Sequence, residues 1–232
     1  MSPDRRAART AGALFIISSV AALLAVPVES PVLAGAGYLT KIAENASRVS
    51  AGGLLELIEA GTSAGIAIAL YPVLRQRSEG LAVGSVAFRT LEAAMYAVGG
   101  VITLSLLFLV RQHATALTGG GIQEAGDALA GIRRSAILAG AFAYMTGALM
   151  YYYVFYRSRL VPRWLTAWGI AAEVPLLTAC LLATFHGTLV TSYTLLALPI
   201  ALQEYVLAGW LIFRGFAPGA ARPGAVTGPA PA

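Results

Sequence analysis

The stretch AGGLLELIEAGTSAGIAIALYPVL, residues 51–74, decides the fold. As a helix it is long enough to cross about 30 Å of hydrocarbon. It nevertheless carries two carboxyl side chains, Glu56 and Glu59, which are three residues apart. Residues at this spacing share one face of a helix. The stretch therefore predicts a membrane-spanning helix with a charged inner face.

Five further apolar runs of similar length flank this stretch. They are Ala11–Val28, Leu81–Val110, Ala136–Tyr156, Trp164–Phe185 and Tyr193–Phe213. Of the 232 residues, 58% are hydrophobic and 12% are charged, whereas about 25% are charged in an ordinary soluble domain. The alternating pattern of a membrane β-barrel is absent. We therefore predict an all-α fold, a polytopic membrane bundle of six transmembrane helices.

The predicted bundle occupies residues 1–214 as a single domain, and residues 215–232 form an Ala/Gly/Pro-rich tail that we expect to be disordered. Ten Lys and Arg residues fall on the side of the two termini, and five fall on the other side. The second group includes Arg133, in an outer connection predicted to run from Arg111 to Arg134. Since positive charge favours the cytoplasmic side, we expect both termini in the cytoplasm. An alternative interpretation takes the first run as a secretory signal peptide.

Six ionisable residues fall inside the predicted spans. They are Glu56, Glu59, Arg89, Glu92, Glu173 and Glu204. A charge that faces lipid at the bilayer centre costs about 2.5 to 3.5 kcal/mol, so these side chains must face one another or an internal cavity. Arg89 is the one cation that the sequence places within reach of the carboxyls. All six are candidate catalytic residues, with Glu204 expected to act as general acid and Glu56 as general base.

Four aromatic or amide side chains are candidate substrate-binding residues: Tyr96, Tyr144, Gln203 and Trp210. Tyr96 and Tyr144 fall near the middle of their spans, where an aromatic face can stabilise positive charge. Other aromatic residues, among them Tyr151, Tyr152 and Phe155, crowd the membrane edge nearest the termini. We expect those residues to form an interfacial belt.

Motifs for nucleotide binding, hydrolysis or zinc catalysis are absent from the sequence. His113 and His186 have no second ligand at metal spacing, and Cys180 is the single cysteine. We therefore expect no cofactor and no metal. The expected partners are membrane lipid and a lipophilic small molecule or protons, without nucleic acid. The sequence does not indicate an oligomeric state.

Four segments carry a family resemblance: LLELIE at 54–59, FRTLE at 88–92, YRSRLVPRWL at 156–165 and QEYVLAGWLI at 203–212. Together they resemble the bacterial integral-membrane domain-of-unknown-function family 4386 (DUF4386), over nearly the whole chain up to the tail. The resemblance implies a small multi-pass protein of the bacterial plasma membrane, and it carries over no activity. Glu56, Arg89, Glu92, Gln203 and Glu204 match the family pattern.

Three functions follow from these features. The first is an intramembrane enzyme for proton-initiated isomerisation or cyclisation of an isoprenoid-like, lipid-soluble substrate. The second is a proton- or cation-coupled small-molecule transporter, and the third is a non-catalytic structural or sensory protein. An enzyme requires an apolar-walled cavity around the acids, a transporter requires a water path to both faces, and a structural network requires no cavity. We favour the enzyme because acidic and aromatic groups coincide on faces of small residues.

Overall fold

The computed structural model describes residues 2–33, 35–113 and 120–217, without the side chains of residues 29–31. Its α-helices are α1 (Pro3–Leu33), α2 (Tyr38–Glu44), α3 (Ala46–Leu74), α4 (Glu79–Gln112), α5 (Gly120–Ser158), α6 (Arg163–His186) and α7 (Thr194–Phe213). A 3₁₀ turn, Val190–Tyr193, precedes α7. The described ranges contain no strand. All but the short α2 are long and apolar enough to cross a membrane.

The prediction of an all-α bundle with six membrane-spanning helices is thus confirmed, and the chain is a multi-pass membrane protein. The start of α1 and the end of α7 lie on one side of the bundle, which we call the terminal side. The opposite side, with α2 and the connection between α6 and α7, is the loop side. Most of the predicted tail, from residue 218 onward, lies outside the described residues.

The outer connection predicted to run from about Arg111 to Arg134, with room for short interfacial helices, is shorter in the structure, because α5 begins at Gly120. The polar residues that open α5 extend the helix beyond the apolar run, and they pack against α2. Tyr38 of α2 donates a hydrogen bond to Asp127, 3.1 Å between Oη and Oδ1. Burial and the Asp127 carboxylate raise the pKa of the Tyr38 phenol. Residues of α5 that precede the predicted apolar run can therefore also contribute side chains to the interior of the bundle.

The six long helices form a closed ring. Each packs against two others in the order α1, α3, α4, α5, α6, α7, and α7 returns to α1. On the terminal side the ring is filled by a core that includes Phe15, Leu70 and Leu165. On the loop side a smaller cluster lies beneath α2 and includes Leu39 and Leu106. The polar residues of the spans lie between these two apolar clusters.

Three aromatic residues on α5 form a plug inside the terminal side of the ring. Tyr151, Tyr152 and Phe155 are fully buried, with ring centroids 4.5 Å apart for the two tyrosines and 5.7 Å apart for Tyr151 and Phe155. The prediction that they belong to an interfacial belt is wrong, because their aromatic side chains point into the interior of the bundle. Tyr153 and Trp164 are exposed, as a belt requires.

The first and last helices close the ring along one seam. The Arg5 guanidinium donates to the carbonyl oxygens of Phe213 (2.7 Å) and Arg214 (2.6 Å), which have no partner within α7. Gly12 lies against Ala208, and a Cβ added there would come within 2.8 Å of the Ala208 carbonyl oxygen. Close contact of α1 with α7 on the terminal side therefore requires glycine at position 12.

We expect Gly12→Ala to destabilise the protein by about 1 to 3 kcal/mol, because the added methyl forces the two backbones apart. Gly209→Ala is the matched control, since a Cβ at Gly209 meets no atom within 4 Å. Thermal unfolding of both variants in the same detergent measures the difference. Equal melting temperatures for the two variants would contradict the described seam.

Candidate functional site

A cavity of about 290 Å³ lies inside the ring and reaches from the middle of the bundle toward the loop side. All six long helices and the residues that precede α7 contribute to its wall. Of the ten predicted site residues, seven line it: Glu56, Glu59, Arg89, Glu92, Tyr96, Tyr144 and Glu204. The remaining wall is largely small or aliphatic. The structure thus brings together most of the residues that helical spacing selected.

Three helices are joined at the cavity wall by a polar clasp formed by Glu56, Thr103 and Arg133. The Arg133 guanidinium forms a buried ion pair with Glu56, from Nη2 to Oε1. Arg133 Nε also donates to Thr103 Oγ1 (2.8 Å), and that hydroxyl donates to Glu56 Oε2 (3.0 Å). Each member comes from a different helix, α3, α4 or α5. Both oxygens of Glu56 are therefore committed to the clasp.

Arg133 is a site residue that the sequence analysis missed, because it placed this residue in an outer connection. The available signal was helical spacing. Arg133, Ile137 and Tyr144 are four and seven residues apart and share one face of α5, and all three line the cavity. The expectation that Arg89 is the one cation within reach of the carboxyls is thus wrong.

Glu204 is held between two hydroxyl groups on other helices. Tyr144 of α5 donates to Glu204 Oε1 (2.8 Å), and Ser19 of α1 donates to Oε2 (3.1 Å). Ser19 was also missed, although Ser18 and Ser19 are the polar residues within the first apolar run. These two bonds fix the orientation of the Glu204 carboxyl at the cavity wall.

Arg89 and Glu92 are each 2% exposed and lie on α4. Arg89 Nη1 is 3.0 Å from Glu92 Oε2, an ion-pair distance, although the N–H is not aligned as a hydrogen bond. The Arg89 guanidinium carbon lies 4.8 Å from the centroid of the Tyr144 ring. Its aliphatic stem packs on Gly147, where a Cβ would lie 3.0 Å from Arg89 Cγ. Because Gly147 has no side chain, the Arg89 guanidinium can reach the centre of the helix bundle.

Glu59 and Glu173 have neither a cation at ion-pair distance nor a hydrogen-bond donor among the described residues. Glu59 lines the cavity, and its carboxyl makes no hydrogen bond or ion pair with any described residue. Glu173 is 4% exposed, and neither of its oxygens has a hydrogen-bond donor among the described residues. Glu173 does not line the cavity, but it lies one helical turn before Leu176, which does.

The other two predicted substrate-binding residues lie away from the cavity. Gln203 is fully buried. Its Oε1 accepts a bond from Tyr152 Oη (2.6 Å), and its Nε2 donates to the carbonyl oxygen of Leu165 (3.1 Å). These bonds join α5, α6 and α7 on the terminal side. Trp210 lies near the terminal end of α7 and lines a surface groove together with Leu160. Both side chains thus contribute to packing in this structure.

The site combines four carboxyls with two guanidinium groups among the described residues that line the cavity. Arg133 is paired with Glu56 and Arg89 with Glu92. The carboxyls of Glu59 and Glu204 are therefore in excess over the guanidinium groups. Within the described ranges, no three His, Cys, Asp or Glu side chains are close enough to hold a metal ion. The arrangement therefore offers carboxyls that can donate or accept protons beside an apolar space.

We expect Arg133→Met to destabilise the protein by about 3 to 5 kcal/mol, because it leaves the buried Glu56 carboxylate without its cation. The double variant Glu56→Met with Arg133→Met removes both charges and should recover most of that loss. Thermal unfolding in one detergent, measured for both single variants and the double variant, gives the coupling free energy. Additive effects of the two single substitutions would show that the clasp does not act as a unit.

A family profile described as a domain of unknown function (DUF4386) matches residues 10–215. No curated protein and no solved structure matches the chain. The matched range covers five of the six spans in full, all of α1 except its first seven residues, and every residue that lines the cavity. The chain therefore belongs to the DUF4386 family, as its four sequence segments had indicated.

Proposed function

We propose that the protein is an intramembrane acid–base enzyme that isomerises or cyclises a lipid-soluble, isoprenoid-like molecule. The observation that carries the proposal is the apolar-walled cavity lined by Glu59 and Glu204, which have no cationic partner at ion-pair distance among the described residues. Its volume of about 290 Å³ is near the lower end of ligand pockets, about 300 Å³. A small hydrophobic molecule is a suitable occupant.

Glu204 is the proposed general acid. As a neutral carboxylic acid it adds its proton to one carbon of a carbon–carbon double bond, and a carbocation forms on the neighbouring carbon. Tyr144 and Ser19 keep the carboxyl in one orientation during this transfer. The two hydrogen bonds to different helices support this role, because a fixed donor shortens the search for a reactive geometry.

Glu59 is the proposed general base. We assign this role to Glu59 instead of Glu56, since the Glu56 carboxylate is ion-paired with the Arg133 guanidinium, whereas Glu59 has no cation at ion-pair distance among the described residues. Glu59 removes a proton from a carbon adjacent to the cation, which forms a new double bond and completes the isomerisation. The proton then returns from Glu59 to Glu204. Reactant and product have the same atoms and electrons, so the reaction needs no oxidant.

The surroundings of the acids favour a cationic intermediate. Tyr96 and Tyr144 line the cavity, and an aromatic face attracts positive charge. Tyr151 and Tyr152 fill the ring beneath the cavity on the terminal side, so water has no straight path from that side. A dry cavity protects a carbocation from capture by water.

The proposed route of entry lies between α1 and α7 on the loop side. These helices are joined from Arg5 to the bond between Ser19 and Glu204. Beyond that bond, small side chains from both helices border the cavity instead, namely Ala22, Ala25, Ala197 and Ala201. The outer faces of the two helices there are apolar and exposed, as at Leu23 and Leu202. A lipid-soluble molecule can thus approach from the bilayer.

The transporter alternative requires a second opening on the terminal side, where the aromatic plug lies. A purely structural network does not need a cavity beside unpaired carboxyls.

For orientation, we propose that both termini face the cytoplasm of a bacterial cell, because Lys and Arg are more numerous on the terminal side. The cavity then opens toward the outer half of the plasma membrane.

Glu204→Gln should lower product formation by about 10²-fold or more, because an amide cannot supply the proton. Lipid and isoprenoid profiling of cells that express the wild type or the variant provides the measurement, with membrane levels matched by immunoblot. Glu124→Gln is the control, since it makes the same change in charge at an exposed position on α5.

A product that appears with the wild type and with Glu124→Gln, but not with Glu204→Gln, supports acid catalysis. Identical profiles for the wild type and Glu204→Gln would reject the enzyme. Proton flux in liposomes that contain the wild-type protein would then test the transporter alternative.

Ala201→Trp should block entry and abolish product formation without loss of the fold, because the indole fills the gap between α1 and α7. Leu202→Trp is the neighbouring control, since Leu202 is 56% exposed and faces away from the cavity. The same profiling experiment compares both variants. Full activity of Ala201→Trp would place the entrance elsewhere.

A further inference from the structure

We infer that the cavity is a binding site for organic monocations, molecules in which an ammonium head is joined to a small apolar body. The inference rests on the cavity of the proposed function and specifies the charge of its ligands. The carbocation of the proposed reaction is a transient occupant with the same charge, and an ammonium ion of similar shape is a permanent one. Binding of a permanent cation requires no turnover.

The first observation is the balance of charge around the cavity. Each guanidinium already has a carboxyl partner, Arg89 with Glu92 and Arg133 with Glu56. Glu59 and Glu204 line the same space without a cation at ion-pair distance in the described part of the chain. An isolated buried carboxylate is strongly disfavoured in an apolar medium. These two groups must therefore hold protons or receive a positive ligand.

The second observation comes from α6 and is independent of the lining carboxyls. Glu173 is 4% exposed, and both of its oxygens lack hydrogen-bond donors among the described residues. It lies on the same helical face as Leu176, which contacts the cavity. A buried carboxyl without a partner is costly for folding. Glu173 thus adds a third acid without a cation among the described residues, one helical turn from the cavity wall.

The kind of cation follows from the shape of the site. A small inorganic ion needs several oxygens at about 2.3 to 2.6 Å, whereas no three acidic, histidine or cysteine side chains in the described ranges converge in this way. Walls such as Ile137 and Ile200 suit alkyl or aryl groups. Tyr96 offers an aromatic ring to an ammonium group. The site therefore fits a cation with diffuse charge and an apolar body.

The experiment compares two probes of nearly the same shape. Benzyltrimethylammonium carries a permanent positive charge, and neopentylbenzene is its uncharged counterpart. The full chain in phosphatidylcholine nanodiscs is titrated with each probe by isothermal calorimetry, and empty nanodiscs supply the correction for partition into lipid. We expect the cation to bind at least about tenfold more tightly than the hydrocarbon.

Variants assign that preference to the carboxyls. Glu59→Gln should reduce the affinity for the cation by about tenfold and leave that for the hydrocarbon unchanged. Glu204→Gln provides a second test if Glu59→Gln does not fold. Glu124→Gln removes an exposed acid from the same protein and should leave both affinities as in the wild type.

Equal affinities of the wild type for the two probes would overturn the inference, as would a cation preference that survives in both Glu59→Gln and Glu204→Gln. The proposed function fails separately. Cation binding without a Glu204-dependent product would support a cation site and reject the enzyme. A Glu204-dependent product without cation binding would support the enzyme and reject the inference.

Discussion

The architecture depends on one constraint, the free-energy cost of a charged side chain within a bilayer. The clasp of Glu56, Thr103 and Arg133 meets this constraint for α3, α4 and α5 at once, since each charge finds its partner on another helix. Buried ion pairs contribute little net stability but strongly disfavour arrangements that separate the partners. Between helices in a lipid bilayer there is no hydrophobic driving force, so the clasp selects which helices become neighbours.

The cavity exists because packing is uneven along the ring. On the terminal side, Tyr151 and its aromatic neighbours fill the centre, and Gly12 lets α1 meet α7 closely. Near the middle, Gly147 admits the Arg89 stem, and Gly140 admits the Tyr96 ring at a distance that a Cβ would prevent. Toward the loop side, alanines of α1 and α7 leave space that no large side chain of the described residues fills. Polar groups thus meet at the depth where the filled half of the ring ends.

Much of this structure is predictable from composition and helical spacing. Apolar runs predict six spans, and the three- and four-residue spacing of polar residues selects Glu56, Glu59, Arg89 and Glu92 as neighbours, because membrane helices must turn such groups inward. Arg133 was not predictable from apolar runs, since α5 continues through a polar segment whose burial depends on contact with α2. The plug was also missed: an aromatic residue near a membrane edge has the same local sequence whether it faces headgroups or the interior. The order of the helices in the ring and the contacts between α1 and α7 decide between these outcomes. The sequence of one helix alone shows neither.

Under the proposed function, the plug on the terminal side leaves the route between α1 and α7 as the way into and out of the cavity. Any molecule that leaves must depart along the route by which it entered, so departure precedes the next arrival. A released molecule that stays dissolved in the same leaflet competes with fresh ligand for that entrance. Occupancy then follows the relative abundance of the two molecules in the membrane, and the protein would slow as one species accumulates. The composition of the surrounding membrane would therefore set how often the cavity is available to new ligand.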